Sequence, residues 1–305
     1  MLPMPNARQP KGLFLTHRRR PLPPAEQVMP KALRNVILLL ASAAVLVPLA
    51  YAVVLALTPI SQFGGSDLLP SHWDFENFVT MWSDAPLGRG FVNTMLVAGC
   101  AAALAVVVAS CAAYPLAHYR SRGRRLVLYG MLSTQIIPST MILLPLFVIY
   151  AWVQTTLGIT MIGSYWLLIL TYLTFALPFA TWLMYSYMRS IPREIEAAAL
   201  VDGASYTGAL FRVILPLATP AMAVAFVFAL LVGWNDVLFA SVLTNTHTET
   251  VAIVLQTFSF AQDGAALPLY PQLMAAGIVS AIPVVLAYLV LQKYLVAGLA
   301  RGSVK

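Results

Sequence analysis

"PREIEAAALVDGAS", residues 192–205, lies between two long apolar runs and gathers two glutamates, an arginine and an aspartate around three alanines. The rest of the chain is poor in charge: of its 305 residues, 60% are hydrophobic and only 10% are charged. An ordinary soluble domain carries about 25% charged residues. This deficit argues against a soluble globular domain and predicts an all-α integral membrane protein with several spans.

Long intervals without Asp, Glu, Lys or Arg predict the spans, because a helix needs about 20 apolar residues to cross a bilayer. The interval between Arg125 and Arg189 is long enough for two crossings, with a polar turn at 155–164. None of the segments alternates as a barrel strand does. A basic, Pro/Arg-rich tail (1–32) therefore precedes a transmembrane domain (33–305), whose six predicted spans are 33–57, 90–116, 126–151, 164–188, 216–240 and 273–296.

The distribution of charge predicts the orientation of the chain. Both ends, the connection between spans two and three and the loop 189–215 hold all the lysines and arginines except Arg89. The other connections hold most of the acidic residues. By the positive-inside rule, both termini and the loop 189–215 are expected in the cytoplasm. The net charge of +7 then reflects orientation and contact with membrane lipids, and it is no argument for nucleic acid.

The first half of the quoted stretch is expected to form a short helix under the bilayer. Pro192 suits the first turn of a helix, where its missing N–H is not needed. Glu194 and Glu196 lie in the early turns, where negative charge complements the helix dipole. The alanines 197–199 favour a helix and have little bulk.

The second half is expected to bend the chain into another short helix, from about Ala204 to Phe211. Gly203 tolerates the left-handed backbone that ends a helix, and Asp202 can cap the helix that follows. The small-residue face of such a bent pair suits docking of another protein. A plain connection between two spans is the alternative.

Polar residues inside the predicted spans are candidates for a solute path or for hydrogen bonds between helices. Gln135 and Thr140 lie in the third span, and Trp234, Asn235 and Asp236 lie near the end of the fifth. An ionisable residue such as Asp236 suggests a functional site at this depth. It can instead lie at the outer interface, bonded to the backbone.

The outer segment 58–88 mixes acidic residues with the aromatic residues Trp73, Phe75 and Trp82. Aromatic side chains commonly anchor a chain at the membrane interface. They also suit a docking surface for an external partner, and the composition leaves both interpretations open.

Motifs of catalysis are missing from the sequence, so no enzyme, cofactor or metal is expected. None of the four lysines lies in a G-x-x-x-x-G-K-[ST] phosphate loop. H-E-x-x-H, G-x-S-x-G and cysteine/histidine clusters are also absent. A membrane enzyme would need clustered acidic or histidine residues near one interface. The histidines are scattered and expected to be solvated: His17, His72, His118 and His247.

The stretch "EIEAAALVDGAS" followed by "VILPLATP" (213–220) resembles the EAA loop of bacterial ABC importer permeases. In that loop a nine-residue gap separates a glycine from an I-x-L-P-like segment, and Gly203 and the segment 213–216 fit this spacing. Two positions depart from the pattern. Ala197 occupies the position that usually holds the Glu of the motif, with Glu196 one residue earlier, and Val213 stands where Ile is usual.

Other segments are similar to the carbohydrate subfamily of the maltose-permease type, in particular its MalG-like subunit. They are "FVNTMLVAG" (91–99), "TQIIPSTMILLPLF" (134–147), "GWNDVLF" (233–239) and "LQKYLVAGLARGSVK" (291–305). The resemblance implies the six-helix type I permease fold of ABC importers, with a cytoplasmic coupling helix between spans four and five. It also implies import of a sugar or sugar derivative. Import of a polyamine, phosphate ester or peptide is the alternative.

The resemblance further implies a set of partners in a bacterial inner membrane. These are a second homologous permease subunit, two copies of an ATP-binding subunit that hold ATP and Mg²⁺, and an external solute-binding protein or lipoprotein. The residues that would lie in a cleft of one ATPase subunit are Glu194, Glu196, Ala197, Ala198, Ala199, Asp202 and Gly203.

Overall fold

The structure, a computed structural model, describes residues 30–63, 65, 68–119, 123–260 and 269–302. Every regular element in these ranges is helical, which confirms the predicted all-α class. Most of the basic tail and the residues Asp67, Arg120, Arg122 and Asp263 lie outside the described residues.

The helices are described in chain order. They are α1 Lys31–Ala56, α2 Asn77–Asp84, α3 Leu87–His118, α4 Arg124–Ser133, α5 Ser139–Leu157, α6 Tyr165–Met188, α7 Arg193–Val201, α8 Tyr206–Ala209, α9 Leu215–Leu217, α10 Thr219–Trp234, α11 Leu238–Leu243, α12 Val251–Phe260 and α13 Tyr270–Gly302. Short 3-10 turns occupy Ile60–Gln62 and Thr134–Ile136, and a π-helical turn occupies Leu210–Ile214.

The chain divides into two units, Met1–Ala50 and Tyr51–Lys305, and α1 runs across the boundary. In the first unit, the described residues form the apolar first part of α1, with Pro48 inside the helix. In the second unit, α3, α6 and α10 pack against one another. Their contact is lined by small buried residues, which let helix backbones approach closely in a membrane. Among them are Ala98, Ala102, Ala105, Ala176 and Ala229.

Five of the described helices are long and apolar enough to cross a membrane alone: α1, α3, α5, α6 and α13. A sixth span is added if Tyr206–Leu217 and Thr219–Trp234, which meet at a bend of 77°, are counted as one. Each of the six predicted spans therefore overlaps one of these helices, and the differences concern where the helices break.

The third predicted span, 126–151, is interrupted in the structure. α4 ends at Ser133, and α5 begins only at Ser139 and continues to Leu157, into the predicted polar turn. Ile137 is extended, with φ −74° and ψ 123°, because the ring of Pro138 disfavours helical backbone in the residue before it. Gly158, with a positive φ of 66°, ends α5.

The fifth span is also shorter than the predicted 216–240. α10 ends at Trp234, and a separate helix, α11, begins at Leu238. The side chain of Asp236 accepts hydrogen bonds from the backbone N–H groups of Phe239 (3.3 Å) and Ala240 (2.9 Å). These bonds satisfy amides of the first turn of α11, which the helix itself leaves unpaired.

Candidate functional site

The loop 189–215 begins with α7, whose end is set by Gly203. Gly203 has φ +89°, a left-handed conformation that is costly for residues with a side chain. The N–H of Gly203 donates to the carbonyl of Leu200 (3.1 Å), and the N–H of Ala204 donates to the carbonyl of Ala199 (3.0 Å). This pair of bonds is the Schellman arrangement that closes a helix at a glycine. Gly203 therefore decides where α7 stops and in which direction the chain leaves it.

The second helix of the loop is shorter than expected and has a different cap. The side chain of Ser205, and not that of Asp202, accepts the N–H of Gly208 at 3.1 Å as the N-cap of α8. The predicted helix from Ala204 to Phe211 is a four-residue helix that continues into the π-helical turn Leu210–Ile214. The loop is thus a bent pair of short helices joined to α10.

Glu196 is the buried acidic residue of the loop. Its Oε1 accepts a hydrogen bond from the Tyr114 hydroxyl, and its Oε2 lies 3.5 Å from Nε2 of His118. Tyr114 and His118 are four residues apart in the last turns of α3, so they share one helix face. Their rings are in contact, with centroids 5.0 Å apart. A carboxylate of α7 is thereby held by two polar side chains at the end of the second span.

The prediction that His118 is solvated was wrong, because only 4% of its side chain is exposed. Tyr114 and His118 are the site residues that sequence reasoning missed. Their spacing of four residues beside the helix end is a signal, but such pairs are common on helix faces. The contact with Glu196 spans 82 positions of sequence, and no local pattern reports it.

The opposite face of α7 is open. Ala197 and Ala198 are exposed, and Val201 is 86% exposed. Asp202 and Gly203 are exposed too, whereas Ala199 is half-buried. Successive residues of a helix point about 100° apart, so Glu196 faces inward while Ala197, at the position of the usual motif Glu, faces outward. The loop offers a surface of small side chains to another molecule.

A cavity of about 690 Å³ lies at the break of the third span. Thr134, Gln135 and Ser139 line it from the break, and Phe175 and Phe228 line it from α6 and α10. Within the described residues, no protein group forms a hydrogen bond with the Gln135 amide.

Thr140, the second candidate in the third span, has a different environment from Gln135. It is exposed at the start of α5, but it is not among the residues that line the 690 Å³ cavity. The structure therefore brings Gln135, and not Thr140, into this cavity.

The "GWND" segment forms a tight contact with Tyr172 of α6. The Tyr172 hydroxyl donates to Oδ2 of Asp236 at 2.9 Å. A Cβ at Gly233 would lie only 2.7 Å from Cδ2 of Tyr172, so the tyrosine ring needs a glycine there. Trp234 is buried against Phe91, with ring centroids 6.4 Å apart. Trp234 is therefore engaged in packing within this chain.

Asn235 and Asp236 differ in how far their polar groups are already engaged. Asn235 is exposed, and among the described residues its side chain bonds only the carbonyl of Leu231, one turn earlier (3.1 Å). Asp236 is bonded on both oxygens by Tyr172 and by the start of α11. The bonds to the backbone match the structural interpretation of Asp236.

The candidate docking residues of the outer segment are all exposed. Trp73 is 52%, Phe75 68% and Trp82 45% exposed. The helix α2, which carries Trp82, is held by hydrogen bonds of a buried side chain. The buried Asn77 amide donates to the carbonyls of Ala56 and Thr58, both at 3.0 Å. The aromatic side chains therefore project from a segment that is itself anchored.

Residues of the "FVNT" segment anchor the loop that follows α11. The Asn93 amide donates to the carbonyls of His247 (2.9 Å) and Glu249 (2.8 Å). The Thr94 hydroxyl accepts the N–H of Val251 at 2.8 Å. α3 thus holds α7 at one end through Tyr114 and His118, and it holds the 245–251 segment at its other end.

Comparison with known proteins places these features in a family context. The family model described as "Binding-protein-dependent transport system inner membrane component" matches residues 105–301. The chain is similar to the diacetylchitobiose uptake system permease protein NgcG of Streptomyces coelicolor, with 33% identity over 276 residues, 89% of this chain and 88% of that protein. It is similar to the trehalose transport system permease protein SugB of Mycobacterium tuberculosis, with 32% identity over 85% of this chain and 92% of that protein.

A solved structure has the same fold. It comes from a bacterial ABC transporter involved in the import of the acidic polysaccharide alginate, and it superposes with a TM-score of 0.72. The match covers 90% of this chain and 100% of that one, at 24% sequence identity. The expected permease fold is confirmed by this likeness.

Proposed function

Since the chain belongs to the family of binding-protein-dependent transport system inner membrane components, we propose that it is one membrane-spanning subunit of a bacterial ABC importer for a sugar or sugar derivative. The observation that carries this proposal is similarity over most of the chain to permeases named for diacetylchitobiose and trehalose. A relative named for melibiose, raffinose and stachyose import also covers 90% of the chain at 29% identity. All these names refer to short glycans.

In this proposal, ATP hydrolysis takes place on two separate ATP-binding subunits, which hold ATP and Mg²⁺. The open face of α7, with Ala197, Ala198 and Val201, supports docking into a cleft of one of them. Asp202 and Gly203 complete the docking surface by ending α7 in a defined direction. Nucleotide-driven movement of the ATPases would then bias the bundle between two packings.

The water-filled pathway of the sugar is proposed to pass the break between α4 and α5 in the third span. The break lies about ten residues into the span from Arg124, or roughly 15 Å along the helix axis, near the middle of a bilayer. Lipid cannot hydrogen-bond the backbone groups that the break leaves free, so water or protein must cover it. Gln135 supplies an amide for sugar hydroxyls, while Phe175 and Phe228 supply apolar ring faces. Thr140 and Asn235 are further polar candidates along the same path.

Two further elements complete the assembly. A second homologous permease subunit is proposed to form the other half of the path. An external solute-binding protein or lipoprotein is proposed to dock on the outer segment that carries Trp73, Phe75 and Trp82. The excess of Lys and Arg on one set of loops supports a cytoplasmic location for both termini and for α7.

The test is transport by the assembled complex in proteoliposomes. The chain is co-expressed with the proposed second permease, ATP-binding and solute-binding subunits, and labelled diacetylchitobiose, trehalose, melibiose, a polyamine and a dipeptide are offered. We expect ATP-dependent uptake of one of the sugars, and no uptake when the ATP-binding subunit carries a substitution of its phosphate-loop lysine. Uptake of only the polyamine or the dipeptide would refute the sugar assignment.

A further inference from the structure

The inference concerns how movement of α7 reaches the membrane spans, and it rests on the proposed function. Among the described residues, Glu196 is the one side chain of α7 that hydrogen-bonds or pairs with another helix. Its partners are Tyr114 and His118, in the last turns of α3. The other side chains of α7 contact the chain through packing, backbone bonds from Gly203 and Ala204 close its last turn, and its outer face is open.

We propose that Glu196 is a positioning residue that makes α7 and α3 move as one body during transport. We call Tyr114, His118 and Glu196 the α3–α7 clamp. A carboxylate that stays buried after losing its partners carries a large desolvation cost. Positions of α7 in which Glu196 keeps Tyr114 and His118 as partners are therefore favoured over positions in which it loses them but remains buried.

The clamp transmits movement because of where α3 runs. α3 packs along both α6 and α10, so a displacement of its end is delivered into the core of the bundle. The chain itself connects α7 to α6 through residues 189–192, and to α10 through Gly203, α8 and the π-helical turn. Neither connection includes α3, so the clamp is the polar contact that adds α3 to the movement.

The clamp also explains why the carboxylate stands at 196 while the usual motif position, 197, holds alanine. A glutamate at 197 would point about 100° away from Glu196 around the helix, onto the exposed face that is proposed to meet the ATPase. At 196 the carboxylate instead serves a contact inside this chain. The structure therefore assigns Glu196 to the link between α7 and α3, and the exposed face with Ala197, Ala198 and Val201 to the ATPase contact.

The experiment compares two variants of the clamp with a matched control in the assembled transporter. Tyr114→Phe removes the donor and keeps the ring, and Glu196→Gln removes the charge and keeps the shape. As the control, Tyr129→Phe makes the same chemical change as Tyr114→Phe at a tyrosine of α4 that is 69% exposed and lies outside both the clamp and the proposed docking surfaces. Uptake of the sugar imported by the wild type and ATP hydrolysis are both measured per assembled complex.

We expect both clamp variants to hydrolyse ATP within about twofold of the wild type but to import about tenfold less sugar, since a hydrogen bond to a charged group is worth a factor of about ten or more. The double variant should lose less than the two single variants combined, because both changes act on the hydrogen bond between Tyr114 and Glu196. Tyr129→Phe should match the wild type. The proposal is overturned if both clamp variants keep the wild-type ratio of sugar to ATP, or if Tyr129→Phe lowers it equally.

A second measurement tests the clamp by hydrogen exchange and does not require transport. Hydrogen exchange of the α7 amides in the assembled complex should be about tenfold faster in Tyr114→Phe, in line with the loss of the same hydrogen bond, and unchanged in Tyr129→Phe. Unchanged exchange in Tyr114→Phe would contradict the clamp. A wild-type complex that imports no sugar but shows the faster exchange in Tyr114→Phe would refute the proposed function and leave the contact between α3 and α7 in place.

Discussion

Substitution of Gly203 gives a graded test of how the loop 189–215 is built. The residue has φ +89°, and no heavy atom lies within 4 Å of the position where a Cβ would be added. A side chain at 203 therefore meets open space, and the penalty comes from the backbone alone. For an L-residue other than glycine that penalty is about 1–2 kcal/mol.

This penalty adds to the free energy of holding α7 in its docked direction. Since each 1.4 kcal/mol changes an equilibrium constant about tenfold, Gly203→Ala should weaken binding of the ATP-binding subunit by up to about 5- to 30-fold. Gly203→Asn should be milder, because asparagine tolerates the left-handed region. Gly203→Val should be more severe than Ala, because β-branched residues rarely adopt a positive φ.

Gly203→Pro should abolish binding. The proline ring holds φ near −65°, and proline lacks the N–H that Gly203 donates to the carbonyl of Leu200. A matched control is Gly99→Ala, in the middle of α3. Its Cβ also meets nothing within 4 Å, but the backbone is helical there, where alanine is favoured over glycine by about 1 kcal/mol.

The assay is binding of the purified ATP-binding subunit to the permease subunits in nanodiscs, followed by sugar uptake for each variant. The expected order of affinity is Gly, Asn, Ala, Val and Pro at position 203, with Gly99→Ala equal to the wild type. Equal binding by the Gly, Ala and Val forms would refute the reasoning, since the left-handed conformation would then carry no cost. A uniform loss in Asn, Ala and Val would instead indicate that any side chain blocks the docking surface.

Three further predictions concern the membrane domain. Gly233→Ala should lower the melting temperature in detergent, because its Cβ would lie 2.7 Å from the Tyr172 ring and 2.9 Å from Cβ of Ala98. Such overpacking costs about 1–3 kcal/mol, and an unchanged melting temperature would contradict this close approach. Loss of the bond between Tyr172 and Asp236 should destabilise the protein by about 1.5–3 kcal/mol in either Tyr172→Phe or Asp236→Asn. The double variant should be little less stable than either single variant, whereas additive losses would show that the two residues act separately. Gln135→Ala should raise the KM for the imported sugar several-fold and leave the melting temperature unchanged, and a wild-type KM would remove Gln135 from the path.

The helical class and the approximate places of the spans were predictable because they depend on composition and on runs of apolar residues. The end of α7 was predictable because Gly203, shortly after the helix-favouring alanines 197–199, is a local signal for the end of a helix. The breaks were harder to predict. Pro138, Pro145 and Pro178 look alike in the sequence, but α5 continues through Pro145 and α6 through Pro178. Neighbouring helices can make up for the bond that an internal proline removes, and the sequence does not say where they do.

The partners of Glu196 and Asp236 could not be predicted for a different reason. Each carboxylate meets a tyrosine from a distant part of the sequence, Tyr114 in one case and Tyr172 in the other. Such contacts depend on which helix faces meet after folding. A single sequence shows where the acidic residues of a membrane protein are. Whether each one forms a structural contact or binds a solute depends on how the helices pack.

The two ends of α3 show how contacts made inside this chain suit an ATP-driven cycle. About 21 residues separate Asn93 from Tyr114, or roughly 32 Å along a helix, which is close to the thickness of the hydrocarbon core. The directed polar contacts of α3 with loops lie at these ends, where Tyr114 and His118 meet Glu196 and where Asn93 holds the 245–251 segment. Between them, α3 meets its neighbours mainly through alanines, whose contacts have no fixed direction. A helix that is clamped at both ends and packed through small side chains in between can shift against α10 without breaking a hydrogen bond between the described side chains, while the bond from the Tyr165 hydroxyl to Oδ1 of Asn93 (2.8 Å) ties α3 to the start of α6. Movement imposed on α7 would therefore reach the loops on the other side of the membrane through α3 as a whole.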